Sequence, residues 1–186
     1  MSRDMSRDTG RDPRPPWRAP VAVHAVPEAG RHVELVADDD TRAAVAQSTG
    51  LRTLPRLEAS FDLSRYGRDG LHVVGRVFAT VGQTCVVTLE PIESEVNEPV
   101  DLLFEPAIDS EMRSDVIASK RADDDAPEPL VGGVVDLGVV ATEFLVLGID
   151  PHPRKPGAEF AAPATGDDSA NPFAALAALK KGRAGS

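Results

Sequence analysis

Between residues 57 and 81 apolar and polar side chains alternate at period two, interrupted by one turn that ends in Asp-Gly. Leu57, Ala59, Phe61 and Leu63 fall on one side, and Glu58, Ser60, Asp62 and Ser64 on the other. Successive side chains of an extended chain point to opposite faces, so this pattern predicts a strand with one buried and one wet face. The stretch Tyr66-Gly67-Arg68-Asp69-Gly70 is turn chemistry between two such runs and predicts a hairpin. On the return, Leu71, Val73, Val77, Ala79 and Val81 share one face, while the other mixes His72, Val74, Arg76, Phe78 and Thr80. Gly82-Gln83 turns the chain again. A chain with this hairpin at its centre is committed to an antiparallel sheet.

The alternation resumes from Cys85 to Phe104, with Ile92, Val96, Val100, Leu102 and Phe104 opposite Glu93, Glu95, Asn97, Asp101 and Glu105. Pro91 and Pro99 cannot donate to a ladder, so this strand should lie at an edge or bend at those points. Runs at 21–26 and 32–37 add further strands. The expected architecture is α+β: an antiparallel meander sheet, open to curling toward a small barrel, with two or three helices and disordered termini. One helix should follow the Asp38–Asp40 caps and stop at Gly50. A second should run from the Asp136 cap to Gly148, with Leu137, Val140, Phe144 and Leu147 along one stripe.

Residues 1–20, 106–129 and 150–170 are rich in Pro, Asp, Arg and Gly and poor in large apolar side chains. Such segments bury too little to offset roughly 1–2 kcal/mol of backbone entropy per ordered residue. The expected organisation is therefore a disordered arm over 1–20 and a single α+β domain over 21–149 carrying an acidic loop at 106–129. A flexible linker over 150–170 and a short C-terminal helix over 171–181 complete it. The formal charge is −10, with 30 acidic against 20 basic residues. That sign opposes binding to a phosphate backbone. The Arg residues of the first 18 positions are interleaved with Asp4, Asp8 and Asp12, a solvated mixed-charge tail. No apolar stretch is long enough to span a bilayer and no signal-peptide core opens the chain, so a soluble cytoplasmic protein without membrane contact is expected.

Catalytic and metal chemistry find little support. The single cysteine, Cys85, excludes an intramolecular disulfide and an all-cysteine zinc site. It has no His or Arg beside it in sequence to lower its pKa. His24, His32, His72 and His152 show no metal-ligand spacing, and no phosphate-binding glycine loop or nucleophile elbow is present. The acidic run Asp123-Asp124-Asp125 lacks the spacing and turn glycine of a calcium loop. The expectation is no catalytic residue, no metal, no cofactor and no small-molecule substrate. His72, Arg76 and Phe78, a cation-and-aromatic row on one strand, are candidate RNA contacts.

Two short patches carry a resemblance. TCVVTLEPI (84–92) sits between two strands, and NPFAALAALKK (171–181) lies close to the end of the chain. Together they resemble the YceD family, the large ribosomal RNA accumulation proteins of bacteria and plastids. Many members carry C-x-x-C-L-x-P, which Cys85, Leu89 and Pro91 match, and N-P-F-x-x-L-x-x-L-K, which Asn171, Pro172, Phe173, Leu176, Leu179 and Lys180 match. Val135-Asp136-Leu137 fits a further V-D-L patch. The chain departs from the pattern at Thr88, where members hold a second Cys, and at 149–160, where some relatives have another Cys cluster. The resemblance implies a role in accumulation of large-subunit ribosomal RNA, hence in ribosome assembly, and no established reaction.

In the tail, Asn171 is a good N-cap, Pro172 suits the first helical position, and Lys180 and Lys181 favour the dipole at the end. Phe173, Leu176 and Leu179 make one apolar face. A helix this short is below the roughly 12–15 residues at which isolated helices become marginal, so it needs a surface to dock on. The favoured expectation is a non-enzymatic adaptor that binds a ribosome-assembly protein partner through this segment. The alternatives are a direct RNA-binding protein and a metal-dependent RNA-processing enzyme with magnesium held by the acidic segment.

Overall fold

In the computed structural model, which describes residues 15–106 and 127–160, the central alternating runs form one long hairpin. β1 (Pro20–Ala22) leads into a 3-10 turn at Val23–Ala25, followed by β2 (Arg31–Val36) and α1 (Asp39–Thr49). β3 (Thr53–Tyr66), β4 (Gly70–Thr84) and β5 (Pro91–Pro106) build the body of the sheet. β6 (Glu128–Leu130), β7 (Val134–Asp136) and α2 (Leu137–Gly148) follow. The main sheet has five strands in the order β2-β3-β4-β5-β6, and β1 pairs with β7 in a separate two-stranded ladder. All pairings are antiparallel except β5 with β6. The fold is α+β, with two α-helices among the described residues.

The register keeps each strand's apolar set on one side. Phe61 faces Gly75, Leu63 faces Val73, and Val96 faces Ala79 across the ladders. Phe61, Leu63, Val73, Ala79 and Val100 are each no more than 3% exposed. One cluster joins this inner face to Val45 and Ala46 of α1 and to Leu137, Val140, Ala141 and Leu145 of α2. Both helices thus pack on the same side of the sheet and leave its outer face uncovered. No polar or charged residue is buried among the described residues.

Both helix starts are capped as the sequence predicts. Asp38 accepts from the Thr41 N–H at 2.8 Å, and Gly50 closes α1 with a φ of 72° that other residues resist. Asp136 accepts from the Gly138 N–H at 3.2 Å, from the Ala19 N–H at 2.7 Å and from Arg18 Nε at 3.2 Å. One carboxylate therefore caps α2 and ties the incoming N-terminal chain to it. In α2 Leu137 and Val140 of the expected stripe are buried and Phe144 packs against the core, but the buried side continues through Ala141 and Leu145, and Leu147 is 74% exposed. The helix is apolar nearly all round, so periodicity alone could not orient it.

Several expectations shift. The run at 21–26 does not extend the main sheet: Pro20–Ala22 pairs with β7, and Val23 then enters a 3-10 turn with its side chain buried. Order begins before residue 21, because Trp17 is 7% exposed and belongs to the core. A segment poor in apolar residues can still be held by one large side chain and a carboxylate bridge. Within the expected acidic loop, Glu128–Leu130 adds a strand beside Phe104–Pro106. Among the described residues no pairing joins β2 to β5 or β6, so the sheet is open and does not close into a barrel. β5 is an edge from residue 91 to 103, as its prolines require; Pro91 and Pro99 are an even number of residues apart, so both nitrogens face the same side. The described residues up to Lys155 form one compact unit, and 156–160, which lie beyond it, open with a turn at Pro156-Gly157.

Candidate functional site

Six residues, Cys85 to Glu90, connect β4 to β5, and their geometry rests on a sulfur. The Cys85 N–H donates to the Glu90 carbonyl at 2.8 Å, and the Leu89 N–H donates to the Cys85 carbonyl at 3.0 Å. These bonds close the loop at its base. The fully buried Cys85 Sγ then accepts from the Thr88 N–H at 3.4 Å and from the Lys155 N–H at 3.3 Å. The second donor comes from 70 residues further along the chain. Around it the Val86 N–H donates to the Pro153 carbonyl at 2.9 Å, Gln83 Nε2 donates to the Asp150 carbonyl at 2.8 Å, and Lys155 Nζ pairs with Glu90 Oε2 at 2.8 Å. Residues 150–155, expected as the start of a free linker, are therefore bound to this loop.

Converging amide donors stabilise a thiolate over a thiol. The Lys155 backbone N–H contributes most, then the Thr88 side chain and backbone, and burial opposes them; the Cys85 thiol is brought down to about 6. The sequence showed no neighbouring His or Arg that could do this, and none does. The leading donor is the Lys155 backbone N–H, which sequence spacing does not reveal, and the Thr88 side chain and N–H add to it. Full burial shields the sulfur from bulky reagents, and its bonds tie the loop to residue 155. A zinc site would need four ligands. Here Thr88 stands at the second motif position and N–H groups aim at the sulfur; among the described residues, no three His, Cys, Asp or Glu side chains gather to hold a metal. This donor set does not fit zinc.

The loop presents Leu89 outward. It is the one non-glycine residue with positive φ among the described residues, at 61°, and its side chain is 75% exposed. A leucine in the left-handed region is strained, and the conformation persists only where its surroundings impose it. Here the Leu89 N–H bond and the sulfur-centred bonds impose it, and Pro91 then starts β5. Val86 on the same loop is 46% exposed. At this end of the sheet α2 meets β5 so closely that a Cβ on Gly148 would stand 2.6 Å from Val96 Cγ1.

His72, Arg76 and Phe78 do share one row of β4 on the outer face. Each is engaged or flanked by an acid or amide. His72 Nε2 lies 2.7 Å from Asp101 Oδ1, Arg76 donates to Asn97 Oδ1 at 3.0 Å, and Phe78 sits between Glu58 and Asn97 in register. His32 lies 2.7 Å from Asp62, whose hydrogen bond raises the histidine pKa above its ordinary value. The remaining motif residues, Asn171, Pro172, Phe173, Leu176, Leu179 and Lys180, lie outside the described residues.

No helix among the described residues is long and apolar enough to cross a membrane. No curated protein and no solved structure matches the chain. A family model does, described as "Large ribosomal RNA subunit accumulation protein YceD", over residues 73–180. That span is more than half of the 186 residues and runs from β4 through the sulfur-centred loop to the N-P-F segment. The chain belongs to the YceD family.

Proposed function

We propose that this chain is a non-enzymatic adaptor in the accumulation of large-subunit ribosomal RNA, joined to a ribosome-assembly protein through Leu89 of the β4–β5 loop and the 171–181 segment. The family's description supplies the process. The observation that carries the mechanism is Leu89, an exposed apolar side chain held in a strained conformation by bonds converging on a buried sulfur. Strain maintained at an exposed position suits a preformed contact, because a partner then meets an ordered side chain and loses less entropy on binding. The tail motif supports the same reading from sequence, since its apolar face is too short to fold without a surface.

The test is complementation in cells depleted of the protein, reading the ratio of large- to small-subunit ribosomal RNA. Wild type should restore the ratio; Leu89→Asp and a chain ending at Gly166 should not, although both fold and accumulate. Capture from lysate with and without RNase locates the contact. A protein partner that survives RNase and is lost on truncation supports the adaptor. Partners lost to RNase and indifferent to truncation would instead favour direct RNA contact, for which the shared row of His72, Arg76 and Phe78 is the supporting observation.

A further inference from the structure

The outer face of the five-stranded sheet has no layer over it among the described residues, because the core cluster draws α1 and α2 to the other side. The ladders order this face into rows. His32, Asp62, Val74 and Asp101 form one, Glu34, Ser60, Arg76 and Pro99 the next, and Val36, Glu58, Phe78 and Asn97 a third. Arg56, Thr80 and Glu95 follow. Apolar groups are exposed on this face: on the central strand β4, Val74 is 38% exposed and Phe78 half-buried, and Val36, at the end of the edge strand β2, is 73% exposed. Carboxylates surround them, with Asp62 and Asp101 on either side of Val74 and Glu58 beside Phe78.

A wet face alone is ordinary for an antiparallel sheet, but this one is not simply polar. Its acids outnumber its permanent cations. Arg56 is paired with Glu58 and Arg76 is spent on the neutral Asn97, while the histidines lean on Asp62 and Asp101. Acids flanking one apolar residue across neighbouring strands, about 10 Å apart, repel one another. A phosphate backbone laid here would add to that repulsion. A guanidinium would be drawn to it, able to stack on Phe78 while reaching Glu58. Alternate side chains of an extended peptide repeat about every 6.6 Å, which is also the row spacing of the face.

We propose that this outer face docks an extended, Arg-rich segment of a protein partner, with apolar side chains on Val74 and Phe78 and guanidinium groups on Asp62, Asp101 and Glu58. It is a second surface, argued from the sheet alone and independent of the Leu89 and tail contacts. A shallow depression lined by Gly30, Arg31, His32, Asp62, Ser64 and Val74 at one end of the face gives an apolar side chain of the segment a seat beside Val74.

The test uses the full chain and a fluorescent peptide of about nine residues alternating Arg and Leu, read by anisotropy, with single-stranded RNA of similar length as competitor. The triple variant Asp62→Asn, Asp101→Asn, Glu58→Gln should weaken peptide binding by about ten-fold or more. The triple Glu28→Gln, Asp40→Asn, Asp69→Asn removes the same charge from exposed positions off this face and should leave affinity within about two-fold. Phe78→Ala, which alters no charge, should weaken binding as well. Amide spectra of each variant establish that it is folded. Equal loss in both triples would reduce the effect to net charge and overturn the proposal. So would a peptide that fails to bind, a Phe78→Ala variant that binds as wild type does, or RNA that displaces the peptide from this face.

Discussion

The Cys85 thiolate makes the sharpest prediction, because the chain has a single cysteine and its signal cannot be confused with another. With the folded value brought down to about 6, about nine-tenths of the protein carries a thiolate at pH 7. In the unfolded chain, with an ordinary value of about 8.5, the fraction is about 3%. Thiolate absorbance near 240 nm, followed against pH in the native protein, should therefore rise through a midpoint near 6 and move toward 8.5 in denaturant. The linkage has a definite sign. The folded state binds fewer protons than the unfolded state between the two values, so stability is gained with rising pH across that window. It is fully present above the unfolded value and lost as pH falls through about 6. Cys85→Ser keeps a protonated hydroxyl over the whole range and should flatten this part of the urea-midpoint profile. Reaction of the native thiol with a bulky reagent should nonetheless be slow, since the sulfur is fully buried. A native absorbance step near 8.5, with none near 6, would refute the claim that the Lys155 and Thr88 donors stabilise the charged sulfur.

Other outcomes follow from the same structure. Phe61→Ala removes a fully buried ring at the centre of the sheet and should cost about 3–5 kcal/mol in chemical denaturation, with a cost below about 1 kcal/mol contradicting the packing described. Asp136→Ala takes away the α2 cap together with the bridge to Arg18 and Ala19 and should cost about 1–2 kcal/mol. Amide exchange should quicken in both α2 and residues 17–22; acceleration in the helix alone would mean that the bridge to the N-terminal chain contributes nothing. His32 should titrate above its ordinary value by proton NMR and return toward it in Asp62→Asn. Because its folded pKa is raised, any stability it confers is complete below the unfolded value of 6.5 and disappears as pH rises through the folded one.

Much of the architecture was legible locally. The alternation from Leu57 to Val81 specified the β3–β4 hairpin and its buried face, because a one-residue slip would turn Phe61 and Leu63 to solvent. Asp38, Gly50 and Asp136 marked helix ends through chemistry confined to a few residues. Pro91 and Pro99 announced an edge because each lacks an N–H. The two motif patches identified the family. Among what escaped are the 3-10 turn after β1, the burial of Trp17, and the exposure of Leu147 on α2. The first two depend on what lies opposite in space, and the third on neighbours that an all-apolar helix cannot choose between by itself.

At the candidate site the division is the same. The sequence by itself showed that two strands meet near this motif, but it put the turn at Gly82-Gln83, whereas β4 runs on to Thr84 and the loop is Cys85 to Glu90. Only the tertiary structure decided what that cysteine does. Lys155 reaches the Cys85 sulfur from 70 residues away through its main-chain N–H, and the Pro153 carbonyl holds the neighbouring Val86 N–H, groups that residue identity does not mark. Side-chain spacing can flag a ligand or a nucleophile, but it has no means of flagging a backbone N–H. The sheet's outer face follows the same logic: each strand showed its own polar side, and only the register brought Asp62 and Asp101 to either side of Val74.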